Sequence, residues 1–395
     1  HRTAGAMTTC APRLPQRNWP HVFDVALNNM TGWTQVNDLL WTVTLSVVQR
    51  IHNVCGAVGE IGVHHGAYYT VLAATAQPSE PLWACDVFEE GFRSGYNVDR
   101  SGRGSKTRLL ENVRRALDGS ADSEREIVLS PFTSLRLHDA ETAKIVDDRV
   151  GRFRLLSVDG GHSEVVAFSD LRWTASRILP GGVIALDDVL VSGWPGVSRA
   201  VRAFYHMLDR RHERLRPLLL TEKKLFMVTP AVHALYLRNL CALGTNTKSV
   251  MRIFEQNGAL PPHCPHPRGH VWDKLTTIPV TLLGDLLTAA DPNWNGTAYL
   301  MAGPAGRRAA DMHRRLQREA QLGLPPPPAR RPYSVAVSKG AFPIVRTLLS
   351  RSPAQAGLLR EFEESLARCE PPPAWQVRDL KPSDGVRSAD ARREA

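Results

Sequence analysis

The chain has no run of 18 apolar residues, so it offers no helix suited to spanning a bilayer. It also has no G-x-G-x-x-G, the turn on which a dinucleotide pyrophosphate would sit, and an NAD-linked oxidoreductase is disfavoured. Its six cysteines (Cys10, Cys55, Cys85, Cys241, Cys264, Cys369) include no C-x-x-C pair. That excludes the usual zinc-ribbon and dithiol spacings and favours a reducing compartment, cytoplasmic or organellar. No internal repeat is present. Acidic residues are outnumbered, with 39 Asp+Glu against 49 Lys+Arg, a formal charge of +10. Residues 301–395 hold 17 Lys+Arg and 10 Asp+Glu, so most of the excess sits in the last quarter and argues little for nucleic-acid binding by the core. No acidic residue precedes Asp24, which leaves residues 1–20 as a targeting segment or a disordered leader.

What is present is an α/β pattern. GAVGEIGVHHGAYYTVLA, Gly56 to Ala73, reads as a short apolar strand over Ala57 to Val63, a turn between Gly62 and Gly66, and a helix from Ala67. Glycines four apart let backbone approach a ligand, and the helix N-terminus offers free N–H groups and about half a positive charge. Glu60 beside that turn repels a pyrophosphate and suits a ligand carrying positive charge. His64 and His65, being adjacent, are expected to point apart. Upstream, His21 to Asn53 carries a helical apolar stripe broken at Thr31-Gly32-Trp33, with Trp33 and Trp41 expected as core aromatics. Downstream, Leu82 to Val87 is a second strand ending near Asp86, and Phe88 to Asn112 is a long glycine-punctuated loop expected as a lid. Lys106 to Leu117 reads as a helix and Glu126 to Leu129 as strand three, followed by Thr133-Ser134.

Arg154 to Val158 is a fourth strand, ending in Asp159-Gly160-Gly161-His162 before a helix from Ser163 to Leu179. Val183 to Leu186 is the fifth and ends in Asp187-Asp188. Arg216 to Val228 forms two apolar runs around Thr221-Glu222-Lys223-Lys224, an antiparallel hairpin.

Beyond it, Ala231 to Leu243, Ser249 to Gln256, Gly306 to Leu322 and Pro353 to Arg368 read as helices. Pro325 to Pro328 is a stiff break and Pro371 to Ala395 a polar tail. Pro261 to His270 holds His and Cys without zinc spacing and reads as a loop.

The glycine turn, the F…N-x-D-x-S-G-x-G wording carried by Phe88, Asn97, Asp99, Ser101, Gly102 and Gly104, and VDGGH followed after seventeen residues by PGGVIALDDV together resemble class I S-adenosylmethionine-dependent methyltransferases. The wording is similar to the small-molecule group called methyltransferase family 24 and to cation-dependent O-methyltransferases. The resemblance covers Val43 to Pro230 and implies a Rossmann-like seven-stranded sheet, mostly parallel, with an antiparallel last hairpin and helices on both faces. On that reading residues 1–20 are a leader, 21–230 the methyltransferase domain, 231–304 a helical and loop extension, and 305–395 a flexible basic tail.

The resemblance further implies S-adenosyl-L-methionine as cofactor, held by Glu60, Gly62, Gly66, Asp86 (on the ribose), Thr133, Ser134 (near the adenine) and Asp159. Three carboxylates at adjacent strand ends repel one another unless a cation, a proton or strong donors intervene. Oxygen ligands suit Mg²⁺ or Mn²⁺. Asp159, Asp187 and Asp188 stand at the family's ligand positions, although an Asn is common where Asp188 stands. His162 is the candidate base and Asp159 its partner in catalysis, with helix capping or orientation by hydrogen bonds as the plainer roles. The expected partner is a small-molecule acceptor, a hydroxyl of a sugar or natural product by analogy, with homo-oligomerisation open. A non-catalytic adenosylmethionine-binding module and a cephalosporin-hydroxylase-like enzyme on the same scaffold are the competing readings.

Overall fold

The computed structural model describes residues 11, 14–88, 104–117, 124–208, 215–245, 275–279, 334–338, 341–350 and 360. Strands β1 (Ala57–Ile61), β2 (Leu82–Cys85), β3 (Ile127–Ser130), β4 (Phe153–Val158) and β5 (Ile178–Leu186) pair in parallel. Next come β6 (Arg216–Leu220), β7 (Leu225–Val228), β8 (Leu275–Pro279) and β9 (Ser334–Ser338). The sheet order is β3-β2-β1-β4-β5-β7-β6-β9-β8. Between β1 and β4 the order reverses direction, which opens a crevice beyond the carboxyl ends of the strands.

A parallel strand buried on both faces reads as a continuous apolar run, and β1 and β4 are buried along their whole length. Alternate residues feed opposite cores. Val58, Leu155, Val183 and Ala185 face one cluster with helices α1 (Trp19–Asn28), α2 (Val36–Ile51) and α3 (Ala67–Thr75). Leu109 and Val113 of α4 (Lys106–Ala116) complete that side. Ile61, Leu156, Ile184 and Leu186 face the other, with α5 (Ala140–Arg149), α6 (Glu164–Arg177) and α7 (Pro195–Leu208). α8 (Pro230–Thr245) returns to the first face through Tyr236, Leu237 and Leu240.

Local chemistry sets the helix starts. Asn18 accepts from the His21 N–H at 3.3 Å, with Pro20 in the first turn of α1. Ser163 caps α6 by accepting from the Val166 N–H at 3.3 Å.

The sheet has nine strands rather than the expected seven. β9 pairs with β6 in parallel, Leu219 against Ala336, and β8 pairs with β9 antiparallel. Val335, Ala336 and Val337 are fully buried, as are Ala341 and Val345 around α9 (Phe342–Leu349). The expectation of a flexible tail over 305–395 therefore fails at 334–350, because a five-residue apolar strand closes an edge that β6 would otherwise leave open. The helices expected at 249–256 and 306–322, the Pro261–His270 loop and the polar tail lie outside the described residues. So does the helix expected at 353–368, apart from residue 360. Among the described residues Cys85 is a buried free thiol and Cys55 is disulfide-bonded, which counts against the reducing compartment expected from the cysteine spacing. No helix among the described residues is long and apolar enough to cross a membrane.

Candidate functional site

The glycine turn, the ends of β2 and β3, and the Asp-bearing ends of β4 and β5 all meet at the carboxyl edge. Gly62 has φ +83°, and a Cβ there would lie 1.8 Å from the Asp159 carbonyl oxygen. The sequence suggested backbone approach to a ligand; what approaches Gly62 is the backbone of the β4 end. Gly66, at φ +89°, caps α3 in the left-handed region.

His64 is also left-handed, at φ +51°. That folds its ring onto His65, with centroids 3.9 Å apart, so the two imidazoles do not point apart as strand neighbours would. Of the two early tryptophans, Trp41 is core, whereas Trp33 is 61% exposed and lies 6.0 Å from the His64 ring.

Asp86 ties these loops together. Its Oδ2 accepts from the His64 N–H at 2.7 Å and its Oδ1 from the Phe88 N–H at 2.9 Å. Each carboxylate oxygen can accept a second hydrogen bond, the number needed for a pair of ribose hydroxyls. Of the expected lid, Phe88 is buried core and Gly104 packs beside Asp86; Asn97, Asp99, Ser101 and Gly102 lie outside the described residues.

Thr133 is half-buried and precedes a 3₁₀ turn over Ser134–His138, in which Ser134 is buried. Glu60 is buried near the end of β1. It is 2% exposed, accepts from Ser157 Oγ at 2.8 Å, and burial pushes its carboxyl up to about 8, against the opposing pull of Lys224 and Ser157. It stands one strand residue below the turn.

At the ends of β4 and β5 three groups converge. His162 Nε2 is 3.1 Å from Asp188 Oδ2 and 3.9 Å from Asp159 Oδ1. Its ring stacks on Trp194 at 4.3 Å and 18°. One ligand atom each from Asp159, His162 and Asp188 falls within 4.8 Å of the others. Asp188 sits at φ +56°, a left-handed conformation rare outside glycine and asparagine, and this bend turns its carboxylate to the same side as Asp159.

The third expected ligand, Asp187, is not one of those three mutually close groups, but its side chain hydrogen-bonds with Asp159 in the same pocket. Asp187 Oδ2 is ion-paired with Lys224 Nζ at 3.0 Å, and its Oδ1 accepts from the Asp188 N–H at 2.8 Å. Burial alone would push the Asp187 carboxyl up, but the ammonium outweighs burial and holds it below the ordinary range. Asp159 goes the other way: burial, then the Asp187 carboxylate, push it well above that range, with Lys224 and His162 opposing.

Lys224 itself is 1% exposed, with Nζ 4.0 Å from the centre of the Tyr68 ring. Burial would lower it, yet Asp187 and Asp159 outweigh that and raise it well above the ordinary lysine range. A lysine so held cannot serve as a base near neutral pH. Lys224, Lys223 and Trp194 were missed in sequence reading. For the lysines a signal existed, since a hairpin packed antiparallel on β5 must set its turn against that strand's end.

The whole arrangement sits where an open α/β sheet binds ligands. Residues 60–189, about a third of the chain, match the methyltransferase family 24 model, described as a methyltransferase domain. No curated protein matches the chain. Among solved structures, the O-methyltransferase from Bacillus cereus in complex with SAH is 14% identical, at TM-score 0.37, over 54% of this chain and 90% of that one. TomG, an O-methyltransferase from Streptomyces achromogenes involved in tomaymycin synthesis, is 15% identical at TM-score 0.36, over 55% and 91%. The calicheamicin methyltransferase CalS11 is 20% identical at TM-score 0.37, over 50% and 80%. The turn at Gly62, Asp86 on the second strand and the DGGH end of the fourth all fall inside the segment, residues 60–189, that is similar to the methyltransferase domain of family 24.

Proposed function

We propose that the chain transfers the methyl group of S-adenosylmethionine to a hydroxyl oxygen of a small-molecule acceptor, and that Asp159, His162 and Asp188 form the reacting centre. The observation that carries this is the meeting of those three side chains at the carboxyl edge, one strand from the cofactor turn. In the reaction the acceptor oxygen attacks the methyl carbon, the sulfur–methyl bond breaks with its electrons going to sulfur, and the hydroxyl proton leaves. S-adenosylhomocysteine departs as a neutral thioether.

On the protein side, Gly62 to Gly66, Asp86, Thr133 and Ser134 would hold the cofactor, with Asp86 on the ribose. Glu60, covered and bonded to Ser157, would act through Ser157 and the turn.

The donor set at the reacting centre fits a divalent cation. Asp188 Oδ1 is buried with no hydrogen-bond partner, 3.6 Å from Lys223 Nζ, and the two carboxylates of the set are ligands that suit Mn²⁺, with one imidazole added. When bound, such a cation lowers the acceptor hydroxyl's pKa and holds the oxygen in line. A second reading rests on the 3.1 Å separation of His162 from Asp188. In it the carboxylate orients the imidazole and stabilises its protonated form, and His162 takes the acceptor proton. One nitrogen cannot both ligate a cation and accept a proton.

The test is S-adenosylmethionine titration by calorimetry, followed by S-adenosylhomocysteine release with panels of sugar and phenolic hydroxyl acceptors. Turnover that is lost on chelation and restored by Mn²⁺ supports the cation. Turnover that persists in protein shown to be metal-free supports the His162 base. Absence of cofactor binding overturns the proposal.

A further inference from the structure

His162 follows Gly160 and Gly161, so the local chain does little to fix where its ring lies, and tertiary contacts must do so. The loop between β5 and α7 supplies them. It is a run of closed turns: the Val191 N–H donates to the Asp188 carbonyl at 3.3 Å, the Trp194 N–H to the Val191 carbonyl at 2.9 Å and the Val197 N–H to the Trp194 carbonyl at 3.0 Å. Val189 and Leu190, buried in the core on the α6 and α7 side, anchor its start, and Pro195 opens α7 at its end.

This one loop meets His162 at the ring edge, the ring face and the backbone. Asp188 Oδ2 lies 3.1 Å from Nε2. Further along, the Trp194 indole lies nearly parallel to the imidazole, with centroids 4.3 Å apart and planes at 18°, a stacked arrangement. Beyond it a Cβ on Gly196 would stand 2.4 Å from the His162 carbonyl oxygen and 2.7 Å from the Glu164 nitrogen, so the loop backbone presses directly on the chain that carries His162. Arg199 Nε, 3.3 Å from Glu164 Oε2, ties the starts of α6 and α7 together behind that contact. Trp194 is itself half-buried and packed against the same core as Val189 and Leu190.

We infer that Trp194 is a positioning residue for the reacting centre, whose indole holds the His162 ring in the plane where Nε2 meets Asp188 and Asp159. Asp188 meets a single ring atom, which fixes a distance but not a plane. A ring flat against an indole cannot turn about its Cβ–Cγ bond without leaving that face. The inference rests on the assignment of Asp159, His162 and Asp188 proposed above. It applies to both readings of that centre, because a cation ligand and a general base each need Nε2 in the same place.

The experiment compares the whole chain with Trp194→Ala, Trp194→Leu and Trp194→Phe; leucine fills the space without a flat face, and phenylalanine restores one. Thermal melts verify folding, and calorimetric titration with S-adenosylmethionine, expected to be unchanged in all three variants, verifies the cofactor site. The first readout is the rate at which diethyl pyrocarbonate modifies His162, followed by peptide mass spectrometry with His52, at the end of α2, as reference. His162 should react several-fold faster in Trp194→Ala and Trp194→Leu than in the parent, with His52 unchanged, and Trp194→Phe should restore the parent rate. The second readout is Mn²⁺ affinity, expected to fall about tenfold in Trp194→Ala, as when a ligand loses its supporting partner, and to recover in Trp194→Phe. Where Trp194→Ala does not fold, Trp194→Leu takes its place, and in a parent that binds no Mn²⁺ the modification rates decide alone. A parent that binds no S-adenosylmethionine removes the proposed function and this inference with it. A parent that binds it, with His162 modified at the parent rate in folded Trp194→Ala or Trp194→Leu, or with Trp194→Phe no better than alanine, overturns the inference and leaves the proposed function standing.

Discussion

At the scale of single residues, two positions show how far the physical cause can lie from the motif. Gly62 belongs to the cofactor turn by pattern, yet a side chain there would first collide with the Asp159 carbonyl, 1.8 Å from the ideal Cβ, at a φ of +83°. Gly62→Val is therefore expected to destabilise the fold by at least about 3 kcal/mol, combining left-handed strain with a backbone clash, before any effect on cofactor affinity is read. Chemical denaturation monitored by tryptophan fluorescence measures this; a variant of parent stability that has only lost S-adenosylmethionine binding contradicts it.

Asp170 is the second. It is buried on α6 beneath Gly160, and burial pushes its carboxyl up to about 7, partly opposed by Ser134. Its folded pKa lies above the unfolded one, so between about pH 4 and 7 the native state binds the extra proton. Stability contributed by the protonated group is complete below pH 4 and falls as pH rises toward 7, by about 4 kcal/mol in total. Asp38 and Glu60, pushed up to about 7 and about 8 by burial, act in the same sense. Asp170→Asn should flatten the stability profile between pH 4 and 7 by one group's share, measured as denaturant midpoint against pH. An unchanged slope would mean that Asp170 is ionised in the fold.

At the scale of elements, a buried arginine joins α2, α3 and β4. Arg154, fully buried on β4, donates from Nε to Glu80 Oε1 at 2.8 Å, from Nη1 to Ser46 Oγ at 2.7 Å and Gln49 Oε1 at 2.8 Å, and from Nη2 to the Thr75 carbonyl at 3.0 Å. Glu80 also accepts from Arg50 and from the Gly56 N–H. Burial would push the Glu80 carboxyl up, but the two guanidinium groups outweigh it and hold it low. Burial draws Arg154 down to about 10, still charged. Removing the shared carboxylate leaves two buried cations facing each other. Glu80→Ala is expected to cost about 3–5 kcal/mol, read from equilibrium unfolding, and Arg154→Met with Glu80→Gln together should cost less than the single change. A loss below about 1 kcal/mol would show that water reaches the network.

The same network explains why α2 lies where it does. Its apolar stripe specifies that it packs, but Gln49 and Ser46 set its position along β4.

At the scale of the whole molecule, the sheet is completed by residues more than a hundred positions beyond the methyltransferase segment. β9 lays Val335, Ala336 and Val337 against β6, and Val345 and Leu348 of α9 cover the same core. Truncation after Gly323 is expected to remove about 5 kcal/mol or more, since each buried valine or leucine contributes about 1.5–3 kcal/mol, and to expose an unpaired strand edge. A lower melting temperature and concentration-dependent association should both follow. A truncated protein as stable and monodisperse as the parent would show that the β6 edge does not depend on β9.

The strands through β7, their order and the helices α1 to α4 and α6 were legible along the chain, because apolar periodicity and glycine or proline punctuation are local properties; α5 and α7 were not read. The break at Thr31-Gly32-Trp33 separates α1 from α2 as read, and Asp159, Asp187 and Asp188 do stand at strand ends. β8 and β9 were not legible: five residues in a proline-rich, basic stretch have no local signal that outweighs their surroundings, and only an open partner edge makes a strand of them.

The site divides the same way. Its residue types and their carriage on β1, β2, β4 and β5 follow from sequence. Which carboxylates share a site does not, because that depends on a left-handed bend at Asp188 and on cross-strand register. The pairing of Leu186 with Leu225 places the two lysines of the hairpin against the two aspartates of β5, and a contact between residues 37 positions apart exists only once the strands have met.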